Sequence, residues 1–327
     1  MNWTETRRKR LGRHRRARKS RDDGRRSSSI QKLNISESSQ TVSDSEIVFL
    51  GTGTSEGVPR VSCLTREPQT CVVCPDAILP GSHNRRRNTS LLIRYRAPDR
   101  SQKNVVIDVG KFFYHSAIEW FPKVGATSLD AVIITHQHAD AIGGLDDLRD
   151  WTNNVQRAIP LYLRQSEMEH VKRAFYWLVD TSLASPGGVS KLDFQIIDEN
   201  PFDVFGLAVT PLPVQHGARA DAFGYRFGDV VYVSDASGIP DSTAQLMHGA
   251  EVMVMDALRP EHSHGSHFVL EEALEQLRRF KPKRALLVDM THNFDHEPTN
   301  VELAKLKESE GLDVQLAYDG QRIPIDL

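Results

Sequence analysis

Apolar residues are almost absent from the first 44 positions and then recur in short blocks to the end of the chain. From Ser45 the blocks have the length and β-branched content of buried strands. "EIVFLG", "TSLLIRY", "NVVIDVG" and "DAVIITH" read as strands, as do "LAVTPLPVQH", "FGYRFG" and "DVVYVSD". The 3.6-residue period instead marks "FFYHSAIEWF", "LDDLRDWTNNV" and "QSEMEHVKRAFYWLV" as helices. The last third alternates: "STAQLMHGA", "VLEEALEQLRRF" and "NVELAKLKE" are helical, while "EVMVMDAL", "RALLVDM" and "DVQLAYDG" are extended. Two packed sheets with helices outside are one architecture consistent with this pattern. The first 44 residues, basic "RRKRLGRHRRARKSR" followed by a Ser-rich run, cannot bury enough surface to offset their ordering entropy. They are expected to form a disordered tail, leaving residues 45–327 as one domain.

Composition narrows the class. No apolar run approaches the ~18 residues of a membrane span, so no membrane partner is expected. Three cysteines, an odd number, argue against a disulfide scaffold and for a reducing compartment, cytoplasmic or nuclear. The net charge of −2 conceals an asymmetry. Residues 1–26 hold twelve Lys and Arg against three acids, so the rest carries 29 basic and 40 acidic side chains. Nucleic acid would then engage only the tail, because nucleic-acid-binding domains are usually basic. The oligomeric state has no signature in the sequence.

Polar residues follow several of the apolar blocks, where scaffolds commonly place catalytic groups. His136, His138 and Asp140 alternate in "THQHADA"; His216, Asp235 and Asp289 end later strands. Side chains two apart on an extended loop can chelate one ion. H-x-H is weak alone, and a turn carboxylate is the plain alternative for Asp235. Together, these residues outweigh their separate alternatives. Cys63, Cys71 and Cys74 form C-x7-C-x2-C, three thiolates that need a fourth ligand to close a zinc tetrahedron. The alternative is three reduced core thiols. Arg85, Arg86 and Arg87 offer forks of donors suited to phosphate, or else form a solvated surface run.

The order of these parts resembles the metallo-β-lactamase superfamily over roughly residues 46–320: a Gly-rich first turn, Asp108, the His-x-His-x-Asp loop, His216 and Asp235. The resemblance implies a four-layer αββα sandwich with metals at one edge. His136, His138 and His216 would hold the first ion, with Asp235 bridging and Asp140 belonging to the second. Within the superfamily, "GTGTSEGVPRVSC", "NRRRNTSLL", "VYVSDASGIP" and "EVMVMDA" are similar to the phosphoribosyl 1,2-cyclic phosphate phosphodiesterases.

That family's pattern is broken at two second-site histidines. Ala141 stands at one, and Asp289 matches the other in "LLVDMTHNFD". The second site becomes Asp140, Asp235 and Asp289, which suits Mn²⁺ or Mg²⁺ better than zinc. If it is empty, the chain is a one-metal enzyme with Asp140 as base. The resemblance also implies a structural zinc on the three cysteines and His292, with His296, His262 and His264 as competing fourth ligands. In "RPEHSHGSHF", His267 aligns with a family residue that acts on the leaving group or the phosphate.

The expected function is metal-dependent hydrolysis of a small, cyclic phosphodiester by water activated on one or two Zn²⁺ or Mn²⁺ ions. Asp140 and His267 are the expected catalytic residues, and Arg85–Arg87 the substrate-binding ones. The alternatives are an RNA-processing nuclease of the tRNA 3′-end type and a degenerate member that binds a ligand without catalysis.

Overall fold

In a computed structural model the described residues are 45–180, 182, 188–218 and 221–327. The tail expected over residues 1–44 lies outside them. The fourteen strands fall into two seven-stranded sheets. The first runs in the order β14 (Arg322–Ile325), β1 (Ser45–Gly51), β2 (Ser90–Arg96), β3 (Gln102–Ile107), β4 (Ala131–Ile133), β5 (Ile159–Arg164) and β6 (Leu192–Ile197). The second runs β13 (Val314–Leu316), β12 (Arg284–Val288), β11 (Val252–Asp256), β10 (Val230–Val233), β9 (Asp221–Phe227), β8 (Leu207–Gln215) and β7 (Phe202–Val204).

Strand alternation builds three apolar layers. Ile47 and Phe49 of β1 face the space between the sheets, where they join Leu91, Ile107, Tyr225, Tyr232 and Leu286. Val48 and Leu50 of the same strand point the other way, toward α3 (Phe113–Val124) and α6 (Gln165–Ala174). On the far side of the second sheet, Val231, Met253 and Leu287 pack against α8 (Asp241–Met247), α9 (Leu270–Phe280) and α10 (His296–Glu310). The central strands are therefore apolar on both faces and read as near-continuous hydrophobic runs. This is the expected αββα sandwich.

Several details depart from the sequence pattern. The helix expected over residues 165–179 breaks at Phe175, whose φ of −131° and ψ of 44° lie outside the helical region. β5, β6, β7 and β14 have no clear signature. β14 contains Pro324 and β6 exposes Ile196; both are edge strands, where weak patterning is tolerated. Pro211 and Pro213 sit inside β8, beyond the last residue paired with β7, Val209. Their missing N–H groups face an unpaired edge, so the strand survives them.

Candidate metal centre

The candidate residues gather at the strand ends along one edge of the two sheets. β3 ends at Asp108, which is buried with a positive φ of 63°. Its Oδ1 accepts the Thr135 amide at 2.9 Å and its Oδ2 the Thr135 hydroxyl at 2.7 Å. The same hydroxyl oxygen lies 2.9 Å from His136 Nδ1. Burial raises Asp108 well above the usual carboxylate range, against the two Thr135 bonds that favour its ionised form; when it is ionised, the hydroxyl proton goes to it and Oγ1 accepts from Nδ1–H. His136 then presents the lone pair of Nε2, and that buried atom has no hydrogen-bond partner. Burial holds the ring neutral by pushing its pKa down to about 4. A carboxylate relay that fixes a tautomer in this way is the usual support of a metal-binding histidine.

His216 is fixed in the same manner from the other sheet. Its Nδ1 donates to the Ser266 carbonyl at 2.9 Å, which leaves the Nε2 lone pair 3.2 Å from His138 Nδ1. The three rings lie 4.6 to 5.1 Å apart between centroids, all in edge-on arrangements. Zn–N bonds of ~2.0–2.1 Å at tetrahedral angles give an N···N edge of about 3.3 Å. The donors therefore fit one divalent ion, with two inward faces buried and His138 exposed to solvent.

Carboxylates flank the histidines. Asp140 and Asp235 approach His136 Nε2 at 3.8 and 3.9 Å. Burial, reinforced by the negative charge of Asp235, pushes Asp140 up to about 6. Burial alone would raise Asp235 too, but His136, His267 and His216 outweigh it and hold that carboxyl low. Thr89, Asp108, His136, Asp140, Ala141, Asp235 and Asp289 line one tight slot. Ala141 thus stands beside the carboxylates where a larger side chain would fill the space.

His267 lies at the opposite side of the cluster, its ring 4.8 Å from that of His216. Its Nδ1 is 3.0 Å from Asp256 Oδ2, 3.1 Å from Asp289 Oδ2 and 3.9 Å from Asp235 Oδ1. Burial would lower this histidine, but its hydrogen bond to Asp256 and the nearby Asp289 carboxyl override it and push its pKa up, while burial raises both carboxyls, Asp256 to about 7. Asp256 is fully buried and also accepts the Ala236 amide at 2.9 Å. It is the functional residue the sequence reading missed. Its signal was present: it ends the buried run "VMVMD" just as Asp235 and Asp289 end theirs.

The cysteine site is equally well formed. Sγ of Cys63, Cys71 and Cys74 lies 3.3, 3.4 and 3.5 Å from His292 Nδ1. A tetrahedral ion with Zn–S of ~2.3 Å and Zn–N of ~2.0–2.1 Å requires S···N edges of about 3.5 Å. The competitors are placed elsewhere. His296 bonds Asn300 through Nε2, and His264 approaches the ring of His267. His262 sits in an exposed turn with φ 65°. Arg60 Nη1 lies 2.9 Å from His292 Nε2 and also pairs with Glu56. An ion on Nδ1 puts the ring proton on Nε2, so Arg60 must then turn toward Glu56.

The three arginines, expected to bind phosphate, bond to groups of the protein. Arg86 is 1% exposed and donates to the Thr291 and Phe294 carbonyls and to Asn84 Oδ1. Arg85 donates to the carbonyls of Ala77, Ile78 and Leu79. Arg87 pairs with Glu119 at 2.6 Å. Most of their donors go to groups of the protein itself and tie the loop before β2 to its neighbours, while Arg86 Nε and Arg87 Nη1 have no hydrogen-bond partner among the described residues.

Comparison with known proteins agrees with this geometry. A family model described as a beta-lactamase superfamily domain matches residues 103–290. The crystal structure of a new diphosphatase from the PhnP family superposes with a TM-score of 0.71 at 29% identity, covering 86% of this chain and 98% of that one. Zn²⁺-bound PqqB from Methylobacterium extorquens shares the fold, with a TM-score of 0.65 at 18% identity over 86% of this chain and 100% of that one. An octanoyltransferase of Porphyromonas gingivalis (strain ATCC BAA-308 / W83) is 29% identical over 279 residues, which is 85% of this chain and 51% of that protein. The chain therefore spans about half the length of this curated relative. By its matched domain, its sandwich and its convergent histidines, the chain belongs to the beta-lactamase superfamily, as a metal-dependent hydrolase of the metallo-β-lactamase fold.

Proposed function

We propose that this hydrolase cleaves a small phosphodiester, with His136, His138 and His216 holding the ion and Asp235 reaching it from the side. The observation that carries the reading is the pairing of three convergent histidine lone pairs with an Asp256-supported histidine across the same cleft. When bound, a divalent ion supplies Lewis acidity toward a phosphoryl oxygen and lowers the pKa of water. Asp140, pushed up to about 6, is poised to take a proton near neutrality. His267 has its Nδ1 committed to Asp256 and Asp289, so Nε2 is the atom that delivers a proton to the leaving oxygen. Asp256 positions that ring and keeps it charged until the proton is needed. The PhnP-family diphosphatase, at 29% identity, supports phosphorus chemistry for this site.

Two further assignments belong to this proposal. Cys63, Cys71, Cys74 and His292 hold a structural zinc, a closed site with no position for substrate. A second catalytic position, formed by Asp140, Asp235 and Asp289, has only oxygen donors and favours Mn²⁺ over zinc. Residues 45–327 act as one catalytic domain on a small phosphorylated substrate. The test is turnover of bis(p-nitrophenyl) phosphate and ribose cyclic phosphates with Zn²⁺, Mn²⁺ or Mg²⁺ added. Release of p-nitrophenol or opening of the ring with at least one ion supports the reading; folded protein that turns over neither substrate with any ion refutes it.

A further inference from the structure

None of Arg85–Arg87 lines the carboxylate slot, so a phosphodiester anion received there needs another cation. Three cations act on groups at or near the cleft: Lys111 on Asp140, Arg259 on His264 and Arg164 on Tyr225. Arg259 is spent on the carbonyls of His262 and Ser263. Arg164 is paired with Glu167 at 2.6 Å and donates to the Asp221 carbonyl. Lys111 alone of the three bonds only a neutral acceptor. Its Nζ donates to the Ser55 carbonyl at 2.5 Å, at an exposed position.

The backbone fixes where this lysine stands. Gly110 lies so close to the Asp140 loop that a Cβ there would come within 1.9 Å of the Asp140 carbonyl oxygen. Val109 N donates to the Ala141 carbonyl and Gly144 N to that of Val109, so the two loops are laced together. The Lys111 stem lies over Gly143, where its Cγ is 2.9 Å from the position a Cβ would take. The backbone and stem of Lys111 are thus held against the Asp140 loop, with the ammonium at the Ser55 carbonyl and 5.7 Å from the Phe112 ring centre. One of its three protons is tethered to Ser55, and two remain free to donate.

We propose that Lys111 is the substrate-anion residue of this site, binding a non-reacting phosphoryl oxygen at the rim next to Asp140. This rests on the phosphodiester reading and names the residue that would select for an anionic substrate. The Ser55 carbonyl holds the ammonium in place with no carboxylate hydrogen-bonded to it; Asp140 is the carboxyl that its charge acts on.

The experiment compares wild type, Lys111→Met and Lys111→Arg in the metal-loaded protein. It reads kcat and KM for bis(p-nitrophenyl) phosphate, the inhibition constant of inorganic phosphate and the phosphate affinity by calorimetry. Lys111→Met is expected to raise KM and weaken phosphate about tenfold, the effect of one lost charge contact. Its kcat stays within about twofold, because the lysine binds substrate and transition state alike. Lys111→Arg restores most of the affinity, and added salt weakens phosphate more in wild type than in Lys111→Met. Unchanged KM and phosphate affinity in Lys111→Met overturn the assignment while leaving the phosphodiester reading intact. If wild type turns over no phosphodiester, that reading fails, and the calorimetric comparison still decides for or against Lys111 as an anion site.

Discussion

The cysteine site and the histidine–aspartate cluster are both donor sets of a size to hold one divalent ion, yet they differ in what surrounds them. Cys63, Cys71, Cys74 and His292 supply four donors from two short segments and close on themselves. Their backing is N–H···S contacts, Arg60 N to Cys74 Sγ at 3.3 Å and Cys74 N to Cys71 Sγ at 3.4 Å. The histidine cluster supplies three nitrogens, leaves His138 exposed, and is ringed by carboxyls such as Asp140 and Asp289 that burial raises. A closed, thiolate-rich set stabilises; an open, imidazole-rich set with titratable neighbours reacts. The two are joined by one loop. Asp289 and His292 are three residues apart after β12, and Asp289 holds its position with a positive φ of 60°. The cysteine site therefore anchors the loop that presents Asp289 to His267.

The largest effect expected is on activity. His136→Ala should cost on the order of 10³-fold or more in kcat/KM, while the protein keeps the ion on its cysteines, as elemental analysis would report. Cys74→Ser should do the converse, losing that ion and several degrees of Tm. If Cys74→Ser leaves metal content and Tm unchanged, the contrast between the two sites collapses.

Arg86→Met comes next. It removes three hydrogen bonds from a fully buried guanidinium and leaves the Thr291 and Phe294 carbonyls unpaired. A loss of about 2–4 kcal/mol in urea unfolding is expected, with KM unaltered. A raised KM at unaltered stability would instead return Arg86 to a phosphate role.

The smallest effect concerns pH. His296 is buried, and desolvation together with the charge of Arg86 pushes its pKa down to about 4 from an ordinary 6.5. Between those values the unfolded chain binds a proton that the folded ring refuses, so stability falls as pH drops from about 6.5 to 4. His296→Asn should show a shallower decline of Tm over that window. An identical slope in both proteins would show that the ring titrates freely.

Much of the fold was legible because central strands buried on both faces leave uninterrupted apolar blocks. Edge strands such as β6 and β14 are buried less completely and left little trace. The candidate metal ligands stood out for a related reason, since His136, His216, Asp235 and Asp289 each interrupt the chain just after such a block. Asp256 does so too, but without a neighbouring histidine in sequence it looked like an ordinary strand end. The arginine triplet misled because charge in a loop is equally consistent with solvent, ligand or backbone carbonyls.

The sequence alone determined the αββα layering, the order of the histidines and the thiolate set, since these follow from periodicity and residue chemistry. Only the tertiary structure decided which partner each polar group meets. Packing two sheets brings His216 to His138 across 78 positions and closes Cys63 on His292 across 229. It also turns most donors of Arg85–Arg87 onto the protein's own groups, chiefly backbone carbonyls, and leaves Lys111 bonded to the neutral Ser55 carbonyl. Contacts between distant segments have no local signature. Their energies depend on burial and geometry that a linear pattern does not contain.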